Sequence, residues 1–101
     1  MKPTKLNILG KPISIEWKNE KPKNELHRND AIGKSYAHAG KLILSKGLSP
    51  AQSRDTVLHE ALHFYDYDLK LGLDEETVQR VAVCIYQLLR DNKEFARWLL
   101  K

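Results

Sequence analysis

The chain has 101 residues, of which 42 % are hydrophobic and 30 % charged, and its formal net charge is +4. A chain of this length builds one modest core, so we expect a single domain spanning residues 1–101. Its composition excludes a disordered tail. The lysines of the first half are scattered and lack the interleaved aromatic side chains of a nucleic-acid-binding face, which argues against nucleic acid as a partner.

Cys84 is the only cysteine, which excludes an internal disulfide and hence a secreted disulfide scaffold. The N-terminal stretch MKPTKLNILGKP has Gly10 and Pro12 where a signal peptide needs a longer apolar core. No apolar run approaches the length of a membrane span. We therefore expect a cytoplasmic protein that does not cross a membrane, with Cys84 as a small core residue.

The first half of the chain predicts a small antiparallel sheet. Residues 5–18 alternate apolar and polar side chains on either side of Gly10, which indicates two strands joined by a turn. Residues 35–45 indicate two further strands around Gly40, so that His38 would lie in a strand. The polar stretch 19–34 has little periodicity and is expected to be a loop.

Ser49 before Pro50 predicts the start of a helix, because serine caps free backbone N–H groups and proline fits the first helical position. This helix should continue through the HEALH sequence, and Gly72 offers a stop. Its apolar residues follow helical spacing and predict the face that packs on the sheet: Val57, Leu58, Ala61, Leu62, Tyr65 and Leu69.

Asp74 can cap a second helix, which Asp91 or Asn92 would end. A last helix should follow and dock on the core through Phe95, Trp98 and Leu99. The predicted fold is therefore α+β: a small antiparallel sheet from the N-terminal half, packed on two to three helices, with the HEALH sequence on the first long helix.

His59, Glu60 and His63 form the pattern H-E-x-x-H within that first helix. Residues four apart share a helix face, so His59 and His63 can bind one metal ion and leave a position for water. Bound zinc lowers the pKa of that water, and a neighbouring carboxylate such as Glu60 can take its proton during attack on a carbonyl. The pattern predicts a Zn²⁺ site that hydrolyses a peptide bond with Glu60 as general base.

Such a site needs a third protein ligand, for which Glu75 is the first candidate. It begins the second helix on the same stripe as the apolar positions that should face the first helix. A phase error of one residue would exchange it with Glu76. Asp66 is better suited to accept an imidazole N–H or to steady the helix end. His38 is a further alternative.

The chain between the first helix and Glu75 is barely long enough to bring Glu75 back to the two histidines. If the helix continues to Leu71, its end lies ~12 Å beyond His63, and four extended residues span only about 13 Å. We therefore predict either that the helix ends near Tyr67 or that the two helices cross at a steep angle. A tyrosine hydroxyl could also stabilise the oxyanion of a tetrahedral intermediate, and Tyr67 and Tyr36 are the candidates.

The segment LSPAQSRDTVLHEALHFYDYDLKLGLDEETVQRVAVCIYQLLRDN resembles the catalytic half of small gluzincin-type zinc metallopeptidases, especially ImmA/IrrE-like domains and short phage-borne relatives. The resemblance covers residues 41–92 and implies a zincin-like fold. In that group the third ligand is a glutamate of the second helix, and Glu75 occupies the corresponding place. Gln79 and Val81 depart from the usual second motif, and the spacer between His63 and Glu75 is short for a gluzincin.

Two other families with the same motif fit less well. Metzincins continue the motif with a glycine and a third histidine, where this chain has Asp66 and Leu69. Peptide deformylases take a cysteine ligand upstream of the motif, whereas Cys84 lies downstream.

The resemblance implies a metallopeptidase in a phage or bacterial regulatory setting, whose relatives cut or bind transcriptional repressors. We expect a peptide or protein substrate, held as an added strand at a sheet edge near AHAGKLILS. The alternative is a non-catalytic zinc-binding module that binds a regulator or nucleic acid. A third possibility is a zinc ion that only stabilises a small core.

Overall fold

The computed structural model describes residues 2–19 and 33–101. Most of the loop expected at residues 19–34 lies outside the described residues. Four strands precede three helices in the described part of the chain. The strands are β1 (Lys5–Ile8), β2 (Lys11–Lys18), β3 (Gly33–Tyr36) and β4 (Lys41–Ser45). The helices are α1 (Pro50–Leu69), α2 (Glu75–Asp91) and α3 (Lys93–Leu99). The α+β class is confirmed.

The sheet is mixed, with strand order β1-β2-β4-β3. Strands β1 and β2 form the expected antiparallel hairpin around Gly10, which has a φ of 83°. Strand β3 is antiparallel to β4, but β2 and β4 run parallel, with Ser14 opposite Lys41 and Lys18 opposite Ser45. The prediction of an antiparallel sheet is therefore wrong for this pair. Local alternation identifies strands, but it does not give the direction in which distant strands pair.

Strand β4 lies inside the sheet between β2 and β3, and its residues Leu42, Ile43 and Leu44 are fully buried. Both of its edges are therefore used, and no substrate strand can add to it. Among the described strands, β1 and β3 form the edges of the sheet. The substrate strand was expected to add near AHAGKLILS. Because β4 lies inside the sheet, the nearest edge strand for such an addition is β3.

A single 3₁₀ turn, Ala37–Ala39, connects β3 to β4 and ends at Gly40 in the left-handed conformation, with a φ of 63°. His38 lies in this turn and is exposed, so its predicted place in a strand is wrong. The strand prediction failed because the turn takes three residues where the sequence pattern allowed only Ala39 and Gly40.

The core combines one face of the sheet with helix α1. Its fully or nearly fully buried apolar residues are Ile8, Ile13, Ile15, Leu42, Leu44 and Phe64. Phe64 is the contribution of α1 and lies one residue after the HEALH sequence, so the core and the motif share a helix turn.

Helix α1 begins as predicted. The Ser49 hydroxyl accepts the Gln52 N–H at 3.1 Å, and the Gln52 side-chain oxygen accepts the Ser49 N–H at 3.2 Å. This capping box satisfies two of the free donors at the helix start.

The predicted apolar face of α1 is confirmed in part, because Val57, Ala61 and Tyr65 pack against the core. Apart from Phe64, the buried residues of α1 are polar: Ser53, Thr56, His59 and Glu60. The predicted apolar positions include Val57, Ala61 and Tyr65, which are only partly buried. The motif therefore lies on the helix face that points into the molecule. Burying polar groups there costs free energy unless they have hydrogen-bond or charge partners.

Helix α2 is capped by the Asp74 carboxylate, which accepts the Thr77 N–H at 2.7 Å, as predicted. Only Val78 and Ala82 are fully buried on this helix. Cys84 is exposed, which contradicts its prediction as a core residue. The contact of α2 with α1 is a narrow stripe, and Cys84 lies outside it.

Helix α3 packs chiefly against α2 and not on the sheet. Phe95, Trp98 and Leu99 are 39 %, 69 % and 50 % exposed, so their predicted docking on the core is wrong. Only Asn92 separates α3 from α2. Among the described helices, none has the combination of length and apolar composition needed to cross a membrane.

Candidate metal centre

His59 and His63 lie one turn apart on α1, and their ring centroids are 5.1 Å apart. The helical repeat stacks residues four apart on one face. Both Nε2 atoms therefore face the same region of space next to the start of α2.

Glu75, the first residue of α2, completes the group. Its Oε1 lies 2.5 Å from His59 Nε2, and its Oε2 lies 3.1 Å from His63 Nε2. One carboxylate thus contacts both imidazoles, and one ligand atom from each of the three residues lies within 4.8 Å of the others. The structure brings together the three residues that the sequence nominated as metal ligands.

The connection between the helices explains how Glu75 gets there. Helix α1 ends at Leu69, which lies between the early end considered near Tyr67 and the stop offered by Gly72. Lys70 and Gly72 then adopt left-handed conformations, with φ of 52° and 73°. These two residues reverse the chain direction within a five-residue connection. The connection therefore brings Glu75 back beside His59 and His63.

Asp66 holds this connection in place. Its Oδ1 accepts the Leu73 N–H at 3.1 Å, and its backbone oxygen accepts the Leu71 N–H at 3.3 Å. Of the two roles considered for Asp66, steadying the helix end is the one its contacts fit. Through Leu73 it also fixes the start of α2, and so the position of Glu75.

The other candidates for the third ligand lie elsewhere. Glu76 pairs with Arg80 on the outer face of α2. His38 is exposed in the 3₁₀ turn. Within residues 2–19 and 33–101, the group of His59, His63 and Glu75 is the one set of at least three His, Cys, Asp or Glu side chains that could hold a metal ion.

The donor set fits a metal ion. Tetrahedral zinc ligands, at about 2.0–2.1 Å from the ion, lie roughly 3.3 Å apart. The Glu75 oxygens and the imidazole nitrogens would therefore have to move apart only slightly to admit a zinc ion. The exposed fraction of the side chains rises from 11 % for His59 through 24 % for His63 to 50 % for Glu75. The group is therefore anchored in the core at one end and open to solvent at the other.

Glu60 is not among the three ligand residues but is buried beside them, with 7 % of its surface exposed. Burial raises the pKa of the Glu60 carboxyl above its ordinary value. The neighbouring His59 and His63 and a hydrogen bond from Ser35 act in the opposite direction. The carboxyl thus has an increased proton affinity at a position next to the first histidine.

Strand β3 approaches α1 closely at Gly33. A Cβ atom at this position would lie 2.7 Å from Thr56 Cγ2 and 3.3 Å from Glu60 Cγ. The missing side chain lets the edge strand lie directly against the motif helix, and this places the Ser35 hydroxyl at the Glu60 carboxylate.

The two predicted tyrosines lie in different places. Tyr67 is 59 % exposed and lines a surface cleft of about 470 Å³ together with His38, Phe64 and Asp68. Tyr36 ends β3, with the Lys41 ammonium 5.6 Å from its ring centre. A role for either hydroxyl in stabilising an oxyanion stays a prediction.

Sequence reasoning missed two side chains near the site. Ser35, which bonds Glu60, has no sequence signal, because its role depends on the packing of β3 on α1. Asp55 does have one: it precedes His59 by four residues, so the helical repeat alone places it on the same face. Its Oδ1 is buried and has no hydrogen-bond partner among the described residues.

No protein-family model matches the chain, and it has no significant match among curated proteins or solved structures. The resemblance to gluzincin-type metallopeptidases therefore stands on the residues that carry it. From the described geometry itself, His59, His63 and Glu75 form a group that could hold a metal ion.

Proposed function

We propose that the protein is a zinc-dependent metallopeptidase with a zincin-like arrangement. The observation that carries the proposal is the convergence of His59, His63 and Glu75 beside the buried carboxyl of Glu60. Two ligands on one helix, a third from the next helix and a carboxylate between them are the parts that metal-assisted peptide hydrolysis requires.

Zinc is the metal that this donor set suits best. Two imidazole nitrogens and one carboxylate are the ligands of catalytic zinc sites, which keep a fourth position open. Bound zinc would supply a water molecule of lowered pKa and polarise a substrate carbonyl. The half-exposed side chain of Glu75 is consistent with a site that solvent and substrate can reach.

Glu60 is the proposed general base. Its carboxylate takes a proton from the attacking water and later gives it to the leaving amine. A carboxyl that both accepts and returns a proton near neutral pH benefits from a pKa above the ordinary glutamate value, and burial shifts the pKa of Glu60 in this direction. Ser35 holds the carboxylate in place from β3.

The proposed substrate is a peptide segment bound in extended form. Strand β3 pairs with β4 on one side, and its other side has no strand partner among the described residues. An extended segment added there would lie next to α1 at Gly33, close to Glu60. The resemblance in sequence favours a transcriptional repressor as the source of that segment, in a phage or bacterial regulatory setting.

The test is zinc-dependent cleavage of a peptide library by the wild type and by Glu60→Gln. The variant keeps the three ligands, so we expect it to bind zinc normally and to cleave about 10²- to 10⁴-fold more slowly. Glu76→Gln is the matched control, since it removes the same charge from the outer face of α2 and should cleave like the wild type.

Cleavage that survives Glu60→Gln would contradict the proposed mechanism. Full zinc binding without cleavage of any peptide would instead favour a non-catalytic zinc-binding module.

A further inference from the structure

Three buried polar side-chain atoms on α1 have no hydrogen-bond partner among the described residues, and two of them are Asp55 Oδ1 and His59 Nδ1. Buried polar atoms are nearly always paired, and an unpaired one is costly. The two residues are four apart, so they lie about 40° from each other around the helix and one turn apart along it. If His59 Nδ1 carries a proton, it could donate a hydrogen bond to Asp55 Oδ1.

The direction of helical side chains supports this pairing. Side chains on a helix tilt toward its N-terminus, so the ring of His59 lies over the turn that contains Asp55. Glu75 contacts the ring at Nε2, which leaves Nδ1 as the nitrogen on the other side. Ser53 Oγ is the remaining buried atom without a partner, but Ser53 lies about 120° around the helix from His59.

An imidazole proton on Nε2 would account for the absence of a hydrogen bond between these two atoms. His59 Nε2 lies 2.5 Å from Glu75 Oε1, so a neutral ring that donates here carries its proton on Nε2. Nδ1 then has only a lone pair, as does the Asp55 carboxylate. If Nε2 instead gives its lone pair to a metal ion, the proton of the neutral ring must be on Nδ1. Asp55 Oδ1 then becomes its acceptor.

We propose that Asp55 is a positioning residue of the metal centre: its carboxylate accepts the Nδ1–H of His59 and orients the ring so that Nε2 faces the metal. This inference rests on the proposed metal site. Ligating histidines commonly donate their second ring nitrogen to a carboxylate, which fixes both the tautomer and the ring orientation.

The experiment measures zinc affinity by competition with a chromophoric chelator for the wild type, Asp55→Ala and Asp55→Asn. We expect Asp55→Ala to bind zinc about 10- to 100-fold more weakly. Asp55→Asn keeps a neutral acceptor and should fall between the two. Asp68→Asn is the control, because it removes a carboxylate from the same helix that pairs with Lys11, and it should bind like the wild type.

Two further readouts separate positioning from a general structural role. With chelator present, the melting temperature of Asp55→Ala should equal or exceed that of the wild type, since the substitution removes a buried oxygen without a partner. In a His59→Ala background, Asp55→Ala should cause no further loss of zinc affinity, because its effect acts through His59.

Wild-type zinc affinity in Asp55→Ala would overturn this inference, as would an equal loss in the His59→Ala background. In both cases the proposed function would stand. A wild-type protein that binds no zinc would overturn the metal site itself.

Discussion

Gly33 lies where strand β3 packs directly against the motif helix. A side chain here would meet Thr56 Cγ2 at 2.7 Å and Glu60 Cγ at 3.3 Å. The need for glycine follows from packing between β3 and α1 and not from a turn or a positive φ. A sequence read along the chain therefore gives no reason to single it out.

We predict that Gly33→Ala lowers the free energy of unfolding by about 1–3 kcal/mol, since the added methyl group overpacks the contact with Thr56. Urea denaturation measures this loss. Gly47→Ala is the control, because no atom lies within 4 Å of a Cβ there. Adding Thr56→Ser should restore part of the loss by removing Cγ2. Equal effects of the two alanine substitutions would contradict the account.

A second prediction at this scale concerns the buried carboxyl of Glu60. Burial raises its pKa in the folded protein, so the folded state binds more protons than the unfolded state between the ordinary and the raised value. Stability should therefore fall as pH rises through that interval. In chelator-treated protein, we expect Glu60→Gln to melt at a higher temperature than the wild type at neutral pH.

The difference in melting temperature should shrink as the pH falls below the ordinary glutamate pKa, where Glu60 is protonated in both the folded and the unfolded state. Calorimetry across this pH range measures it. A difference independent of pH, or a less stable Glu60→Gln at neutral pH, would show that burial does not dominate the proton affinity of this group.

At the scale of elements, local signals predicted what depends on local chemistry. Ser49 and Asp74 identified both helix starts, because a side-chain cap bonds a backbone N–H only three residues away. The end of α1, at Leu69, lies between the two ends that the sequence offered, Tyr67 and Gly72. Lys70 takes a left-handed conformation that non-glycine residues rarely adopt, and a bond between distant groups, Asp66 and Leu73, stabilises it.

The helix connection carries a prediction for Asp66. Asp66→Ala removes the acceptor for the Leu73 N–H and should cost about 0.5–1.5 kcal/mol in unfolding free energy. It should also weaken zinc binding, since Glu75 loses its fixed position. Asp66→Asn keeps an acceptor oxygen and should restore most of both. Zinc titration and urea denaturation of the two variants check this, and a variant that loses stability with unchanged zinc affinity would refute the positioning role.

At the scale of the whole molecule, the site links the two halves of the fold. His59 and Glu60 are buried residues of α1, and β3 contacts Glu60, whereas Glu75 belongs to α2. The sequence predicted these ligands because helical spacing and a capped helix start are visible in one dimension. Two other features could not be predicted from the sequence: the parallel pairing of β2 with β4 and the exposed position of Trp98. Both depend on which surfaces meet after folding.

The most direct test of the metal site is a calorimetric zinc titration of the wild type, Glu75→Gln and Glu76→Gln. These two glutamates are adjacent and carry the same charge, but only Glu75 contacts His59 and His63. The account predicts one zinc ion per chain for the wild type and Glu76→Gln, and much weaker binding for Glu75→Gln. Wild-type affinity in Glu75→Gln, or a loss confined to Glu76→Gln, would contradict it.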